Sequence, residues 1–97
     1  MIDAELEKWW PDLGIVIAEL RRAERPDVAY LLLEAVRAGT CSAEILGSMG
    51  IILRNHRALC SQMSDSGKSA WDAVMADVYR AYPLRRLAEW FARLTMR

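Results

Sequence analysis

His56 and the two cysteines are the residues of this chain best suited to acid–base, nucleophilic or metal chemistry. His56 is the only histidine, so any mechanism that needs an imidazole must use it. Cys60 follows four residues later, a spacing that places both side chains on one helix face. Zinc needs three or four ligands and a thiolate nucleophile needs a base and an orienting group, yet no second histidine or suitably spaced carboxylate completes either set. We therefore predict no metal site and no catalytic residue, with His56 where an apolar face meets solvent.

The segment Gly67-Lys68-Ser69 is similar to the end of a phosphate-binding loop, in which backbone amides hold phosphates and the lysine reaches the outer ones. The complete motif has another glycine five residues earlier, where this chain has Gln62. The motif also follows a β-strand, whereas the residues ahead of this segment have the apolar spacing of a helix. We interpret the match as coincidental and expect no cofactor.

Acidic and basic residues concentrate at opposite ends of the chain. The first twenty residues contain Lys8 and five acids, and the C-terminal stretch has the opposite sign, with Glu89 facing Arg80, Arg85, Arg86, Arg93 and Arg97. Two interpretations stay open: the two ends pair with each other, or the arginines and neighbouring aromatic rings bind nucleic acid. Because 13 basic and 13 acidic residues cancel, no overall field recruits nucleic acid, which remains the alternative. Asp72 and Asp77 are predicted to point to different sides of their helix.

The four tryptophans are the better candidates for contact with a partner. Trp9 and Trp10 are adjacent, and neighbouring helix positions diverge by about 100°, so one of them is left near the surface. Trp90 similarly lies beside Phe91, which already belongs to an apolar stripe. Exposed tryptophan and arginine are enriched at binding hot spots, although both rings could instead cap the ends of the fold. The candidate partner-binding residues are Trp9, Trp10, Arg86, Trp90 and Arg93.

Length and composition indicate one domain over residues 1–97 with more apolar surface than it needs. Hydrophobic residues make up 54% of the chain, against about 45–50% in typical soluble domains. The excess favours an interface with another protein or with a second copy of the chain. Cys41 and Cys60 are too few for a disulfide scaffold, so we expect reduced thiols, with a single bridge as the alternative. No apolar run approaches the roughly 20 residues of a membrane span, and we expect a cytoplasmic protein with no membrane contact.

Three prolines indicate where helices begin. Pro11, Pro26 and Pro83 each precede an amphipathic stretch, and proline is tolerated in a helix only in the first turn. The stretch from Pro26 to Ala38 is so densely apolar that we predict it to be the central, most buried helix. The apolar stripe of the stretch that begins at Pro11 is Leu13, Val16, Ile17, Leu20 and Ala23. The stretch that follows the polar residues 64–69 has the stripe Trp71, Val74, Met75, Val78 and Tyr82. Glu19 falls off the first stripe.

A helix end and a helix start lie back to back near residue 40. Gly39 suits the left-handed position just past a helix end, and Ser42 can cap the next helix while Glu44 faces its positive pole. One apolar face then continues for about 20 residues to Met63, which predicts the longest helix at ~30 Å. Within this predicted helix, Gly47 and Gly50 favour close packing against another segment.

The predicted fold is therefore all-α, a single-domain bundle of five main helices preceded by a short N-terminal lead-in helix over Asp3 to Trp10. Residues 64–69 are polar and small, typical of a loop or a slow helix start. No alternating apolar and polar run indicates a strand.

The corner from Ala35 to Leu46, followed by Ile51-Ile52-Leu53, resembles a pattern in small helical bacterial proteins, some of which act as immunity proteins of secreted toxins. In these proteins a helix ends at a glycine, a Ser/Thr-rich corner follows and Glu-Ile-Leu opens the next helix. The resemblance covers residues 35–53 and implies a cytosolic protein that binds another protein. It carries over no catalytic residue.

From these observations we expect a non-catalytic protein-binding helical module, either immunity-like or a self-associating adaptor. A small nucleic-acid-binding protein that uses its arginine-rich C-terminal helix is the alternative function. An enzyme built on His56 and Cys60 is the least favoured class, because the pair lacks a third member.

Overall fold

The computed structural model describes residue 8 and residues 10–83. Within this part of the chain lie four α-helices and one 3₁₀ helix: α1 (Pro11–Arg22), α2 (Pro26–Ala38), α3 (Ser42–Asn55), the 3₁₀ helix (Arg57–Gln62) and α4 (Asp65–Ala81). None of these residues is in a strand, and the predicted all-α fold is confirmed. The predicted lead-in helix and the last predicted helix fall almost entirely on residues outside this range.

Proline begins helices as predicted. Pro11 and Pro26 occupy the first turns of α1 and α2, where a missing N–H leaves no hydrogen bond unmade. Pro83 also limits the helix that precedes it. Tyr82 has the non-helical angles φ −131° and ψ 69°, and α4 ends at Ala81.

The four α-helices form a closed ring in which each contacts the next and α1 also contacts α4. The most extensive of these contacts joins α1 to α4, so these two helices are the central pair. The prediction that α2 is the most buried helix is wrong: three of its 13 residues are buried, against five of 12 in α1. The core comprises Leu13, Val16, Ile17, Leu20, Val28, Ala29, Leu32, Met49, Leu53, Leu59, Met63, Ala70, Trp71, Val74 and Val78. No helix in the described part of the chain combines the length and apolar character needed to cross a bilayer.

A left-handed residue ends α1. Glu24 has φ 60°, its N–H donates to the carbonyl of Arg21, and the N–H of Arg25 donates to the carbonyl of Leu20. This pair of hydrogen bonds is the Schellman arrangement, which usually has glycine at the left-handed position. Glu24 therefore has a Cβ at a backbone angle that glycine adopts with less steric strain.

The corner between α2 and α3 differs from its prediction in two ways. Gly39 is extended (φ −72°, ψ 139°), and a Cβ there would collide with the side chain of Ile45. Ser42 is already helical and makes no capping hydrogen bond. Glu44 lies in the first turn of α3 as predicted, and its carboxylate accepts hydrogen bonds from the backbone N–H and hydroxyl of Thr40, at 3.3 and 3.2 Å. Gly39 thus permits close packing rather than a reversed backbone.

The predicted long helix to Met63 is two helices. α3 ends at Asn55, His56 has non-helical angles, and the 3₁₀ helix follows. Consequently α4, with 17 residues, is the longest described helix. Gly47 does permit close packing: a Cβ there would lie 3.0 Å from the hydroxyl of Tyr82, which donates a hydrogen bond to the carbonyl of Ala43. The close neighbour of this glycine is an aromatic ring.

Candidate functional site

The predicted partner-binding residues lie mostly beyond the described range. Trp9, Arg86, Trp90 and Arg93 are outside the described residues. Trp10 is half-buried, precedes the first turn of α1 and packs against the core. It also lines a shallow cavity of about 430 Å³ beside the corner of Gly39 and Ser42.

Glu19, predicted to lie off the apolar stripe, is buried and connects α1 to α4. Its side chain accepts hydrogen bonds from the backbone N–H (3.1 Å) and the hydroxyl (3.0 Å) of Ser64 and pairs with Arg22 at 2.7 Å. The Ser64 hydroxyl in turn caps α4 by accepting from the N–H of Gly67 at 3.2 Å. Hydrogen bonds from Ser64 and the positive charge of Arg22 hold the pKa of Glu19 below its ordinary value.

This arrangement explains the partial phosphate-loop motif. A Cβ on Gly67 would lie 2.8 Å from the side chain of Glu19, so the glycine makes room for a carboxylate of the chain itself. Ser64 caps the helix that Lys68 and Ser69 belong to, and an internal anion occupies the position where a phosphate would bind.

His56 is half-buried where α3 ends, as its prediction required. His56 precedes the 3₁₀ helix that contains Cys60, so the two residues do not belong to one continuous α-helix. Their four-residue separation therefore does not place them on a common α-helix face. Burial raises the pKa of the half-buried Cys60 thiol, and the negative charge of Asp72 raises it further, while Lys68 and Arg57 act in the opposite direction. Both cysteines are free, and no cluster of three metal-ligating side chains occurs within the described residues.

A second cavity, of about 510 Å³, is a groove between α4 and the segment formed by the end of α3 and the 3₁₀ helix. We call it the basic groove. Leu53 and Trp71 form its apolar floor, and its charged lining residues are Arg54, Arg57, Lys68 and Asp72. Asp77 lines the other cavity, which confirms that Asp72 and Asp77 face different sides of α4.

The outward side of α2 carries two adjacent exposed apolar side chains. Tyr30 is 61% exposed and Leu31 is 43% exposed, and they follow each other in the chain. Glu34 and Arg37 form an ion pair on the same helix. We call Asp27, Tyr30, Leu31, Glu34 and Arg37 the outer face of α2.

We did not predict this surface from the sequence, although adjacent helix positions diverge here as they do at Trp9 and Trp10. Leu31, Leu32 and Leu33 are consecutive and cannot all enter one stripe, since each position turns by about 100°. Leu32 is fully buried, and Tyr30, about 200° away around the helix, therefore faces outward.

Comparisons with protein-family models, with curated proteins and with solved structures each give no match to this chain. The candidate sites therefore depend on the geometry of the described residues.

Proposed function

We propose that this protein is a non-catalytic protein-binding module that contacts its partner through the outer face of α2. The observation that carries the proposal is the exposure of Tyr30 and Leu31 on consecutive helix positions. A tyrosine offers a large rigid contact area with one polar group, and it is among the residues enriched at binding hot spots. The raised pKa of Cys60 supports a role without a reactive thiol.

A protein partner fits this surface because charged groups lie on both sides of its two apolar side chains. Asp27 is paired with Arg25 and Glu34 with Arg37, so the charges beside Tyr30 are already held in defined positions. A partner that buries the tyrosine ring therefore leaves a polar rim of oriented ion pairs around it.

A second copy of the chain is one such partner in this proposal. If two α2 helices pack antiparallel with Tyr30 of one opposite Glu34 of the other, Asp27 of one stands opposite Arg37 of the other. Such a self-complementary pattern suits a two-fold interface, in which the same patch contacts itself.

An immunity-like protein that binds a toxin is the form of the proposal indicated by the resemblance over residues 35–53. The two free thiols support placing the protein in a reducing compartment such as the bacterial cytoplasm. The toxin partner and the bacterial cytoplasm are both part of what we propose, and crosslinking identifies the partner.

Site-specific photocrosslinking in the cell of origin tests the proposal. A photoreactive phenylalanine analogue replaces Tyr30 in one variant and, as the control, Ser69, which is exposed on α4. We expect one discrete protein adduct from position 30 that disappears in the Leu31→Glu background, with circular dichroism showing that helicity is retained. An adduct of twice the chain mass identifies self-association, and a larger or smaller one identifies another protein.

Absence of an adduct at position 30, or the same adducts from position 69, contradicts the proposal. Persistence of the position 30 adduct in Leu31→Glu also contradicts it, because contact would then not depend on the outer face of α2.

A further inference from the structure

We propose that the basic groove is a binding site for a small organic anion, a single carboxylate carried on a flat apolar body. This inference does not depend on the proposed function, because the groove lies between α3, the 3₁₀ helix and α4 and shares no residue with the outer face of α2.

The size and floor of the groove fit the apolar body of such a ligand. Its volume of about 510 Å³ lies within the roughly 300–1,000 Å³ range of small-molecule sites. Leu53 and Trp71 are buried beneath it, and Met75 and Tyr79 are half-buried along α4. A flat apolar ligand therefore meets an aromatic and aliphatic surface.

The charges of the groove fit the carboxylate. Arg57 on the 3₁₀ helix and Lys68 on α4 approach the groove from opposite sides, and Arg54 adds a third cation. Asp72 is the one acid among the lining residues, so the local charge is positive in a chain whose total charge is zero. Cys60 also lines the groove, and the charges of Arg57, Lys68 and Asp72 all act on the pKa of its thiol, in keeping with their common place in the lining.

Two features favour one carboxylate over a phosphate. Asp72 opposes a second negative charge on the ligand. The N-terminus of α4, whose amides would otherwise bind a phosphate, is capped by Ser64 and lies beside the Glu19 carboxylate. The Arg57 and Lys68 side chains remain as the donors, and they pair well with a carboxylate.

The test titrates the full chain with 1-naphthoate and follows backbone amide chemical shifts by NMR. The matched neutral ligand is 1-naphthalenemethanol, which has the same rings without the charge, and 1-naphthyl phosphate is the dianionic ligand. We expect 1-naphthoate to bind more tightly than either and to shift amides of the 3₁₀ helix and the first half of α4. Binding should weaken as salt is raised, because the charges are at the surface.

Charge reversal locates the site. Arg57→Glu and Lys68→Glu should each weaken 1-naphthoate binding by about tenfold or more, which is about 1.4 kcal/mol. Arg80→Glu, which reverses an exposed cation beside the other cavity, is the matched control and should leave binding unchanged. Both groove residues are exposed, and circular dichroism checks that each variant remains helical.

Thiol protection provides a second readout that leaves every charged residue of the groove intact. In the Cys41→Ser variant, saturating 1-naphthoate should slow the reaction of Cys60 with a disulfide reagent by at least severalfold. In the Cys60→Ser variant, the exposed Cys41 should react at the same rate with and without the ligand. Equal affinity for the neutral alcohol, binding that survives both charge reversals, or an unprotected Cys60 would each overturn the proposal.

Discussion

The Glu19 carboxylate of α1 accepts two hydrogen bonds from Ser64, a residue 45 positions later that caps α4. The same carboxylate pairs with Arg22, and Ser64 passes the connection on to the N–H of Gly67. The Glu19 carboxylate of α1 therefore accepts hydrogen bonds at the N-terminus of α4, and these two helices form the most extensive contact of the fold.

Glu19→Gln should lower the urea midpoint of unfolding at pH 7, because the amide keeps the volume but loses the charge that Ser64 and Arg22 stabilise. The pKa of Glu19 is lowered in the folded state, so its stabilising effect is fully present above the ordinary value of 4.5 and is lost as the pH falls through the lower folded value. Urea unfolding from pH 7 to pH 3 should show the wild-type and variant midpoints converging below about pH 4.5. Glu34→Gln, which breaks a surface ion pair, is the control and should change the midpoint little at any pH. A midpoint difference that is constant with pH would contradict this.

Gly67→Ala should destabilise the fold by about 1–3 kcal/mol, although alanine normally stabilises a helix relative to glycine by about 1 kcal/mol. The reason is the Glu19 side chain, which an added Cβ would approach to 2.8 Å. In the Glu19→Ala background the same substitution should become stabilising, since the obstructing group is gone. Chemical denaturation of the two single variants and the double variant measures this coupling. Additive effects would show that Gly67 and Glu19 act independently.

Glu24→Gly should stabilise the protein by about 0.5–1 kcal/mol, because glycine adopts the left-handed φ of 60° without the strain of a Cβ. Thermal and urea unfolding of the variant measure the gain. Glu24→Ala keeps a Cβ while removing the carboxylate, so it should show no comparable gain. If alanine stabilises as much as glycine, the carboxylate rather than the backbone angle is responsible.

Cys60 should react more slowly than Cys41 with a disulfide reagent at pH 8 in the folded protein. Its thiol is half-buried and its pKa is raised above the ordinary value of 9.0, which lowers the thiolate fraction. Rates measured in Cys41→Ser and Cys60→Ser isolate each thiol, and in urea the two should become similar. A faster Cys60 would reveal an activated thiol and would favour the enzyme interpretation instead.

Helix starts and the buried faces of α1 and α4 are predictable from sequence because both depend on local information. Proline has few positions open to it in a helix, and Leu13, Val16, Ile17 and Leu20 are all buried as their spacing predicts. The burial of Glu19 is not predictable this way, because its partner Ser64 is remote in the chain. The break at His56 is hidden for another reason: Leu53 and Leu59 on either side are both buried, so their spacing does not report the change of helix type.

The candidate sites were less accessible from sequence than the fold. Arg57, Lys68 and Asp72 belong to two helical segments that face each other only after the chain has folded. The exposure of Tyr30 was within reach, because it lies about 200° around the helix from Leu32, which is fully buried.

The ring of helices closes through its first and last described members, and this has a consequence for the order of folding. Helices adjacent in the chain, such as α2 and α3, can associate at small entropic cost, whereas the α1–α4 contact must close the whole segment that contains α2, α3 and the 3₁₀ helix. We expect the contacts between helices adjacent in the chain to be structured early and the α1–α4 contact to complete folding late. Substitutions at Leu20 or Val74 should then accelerate unfolding more than they slow refolding.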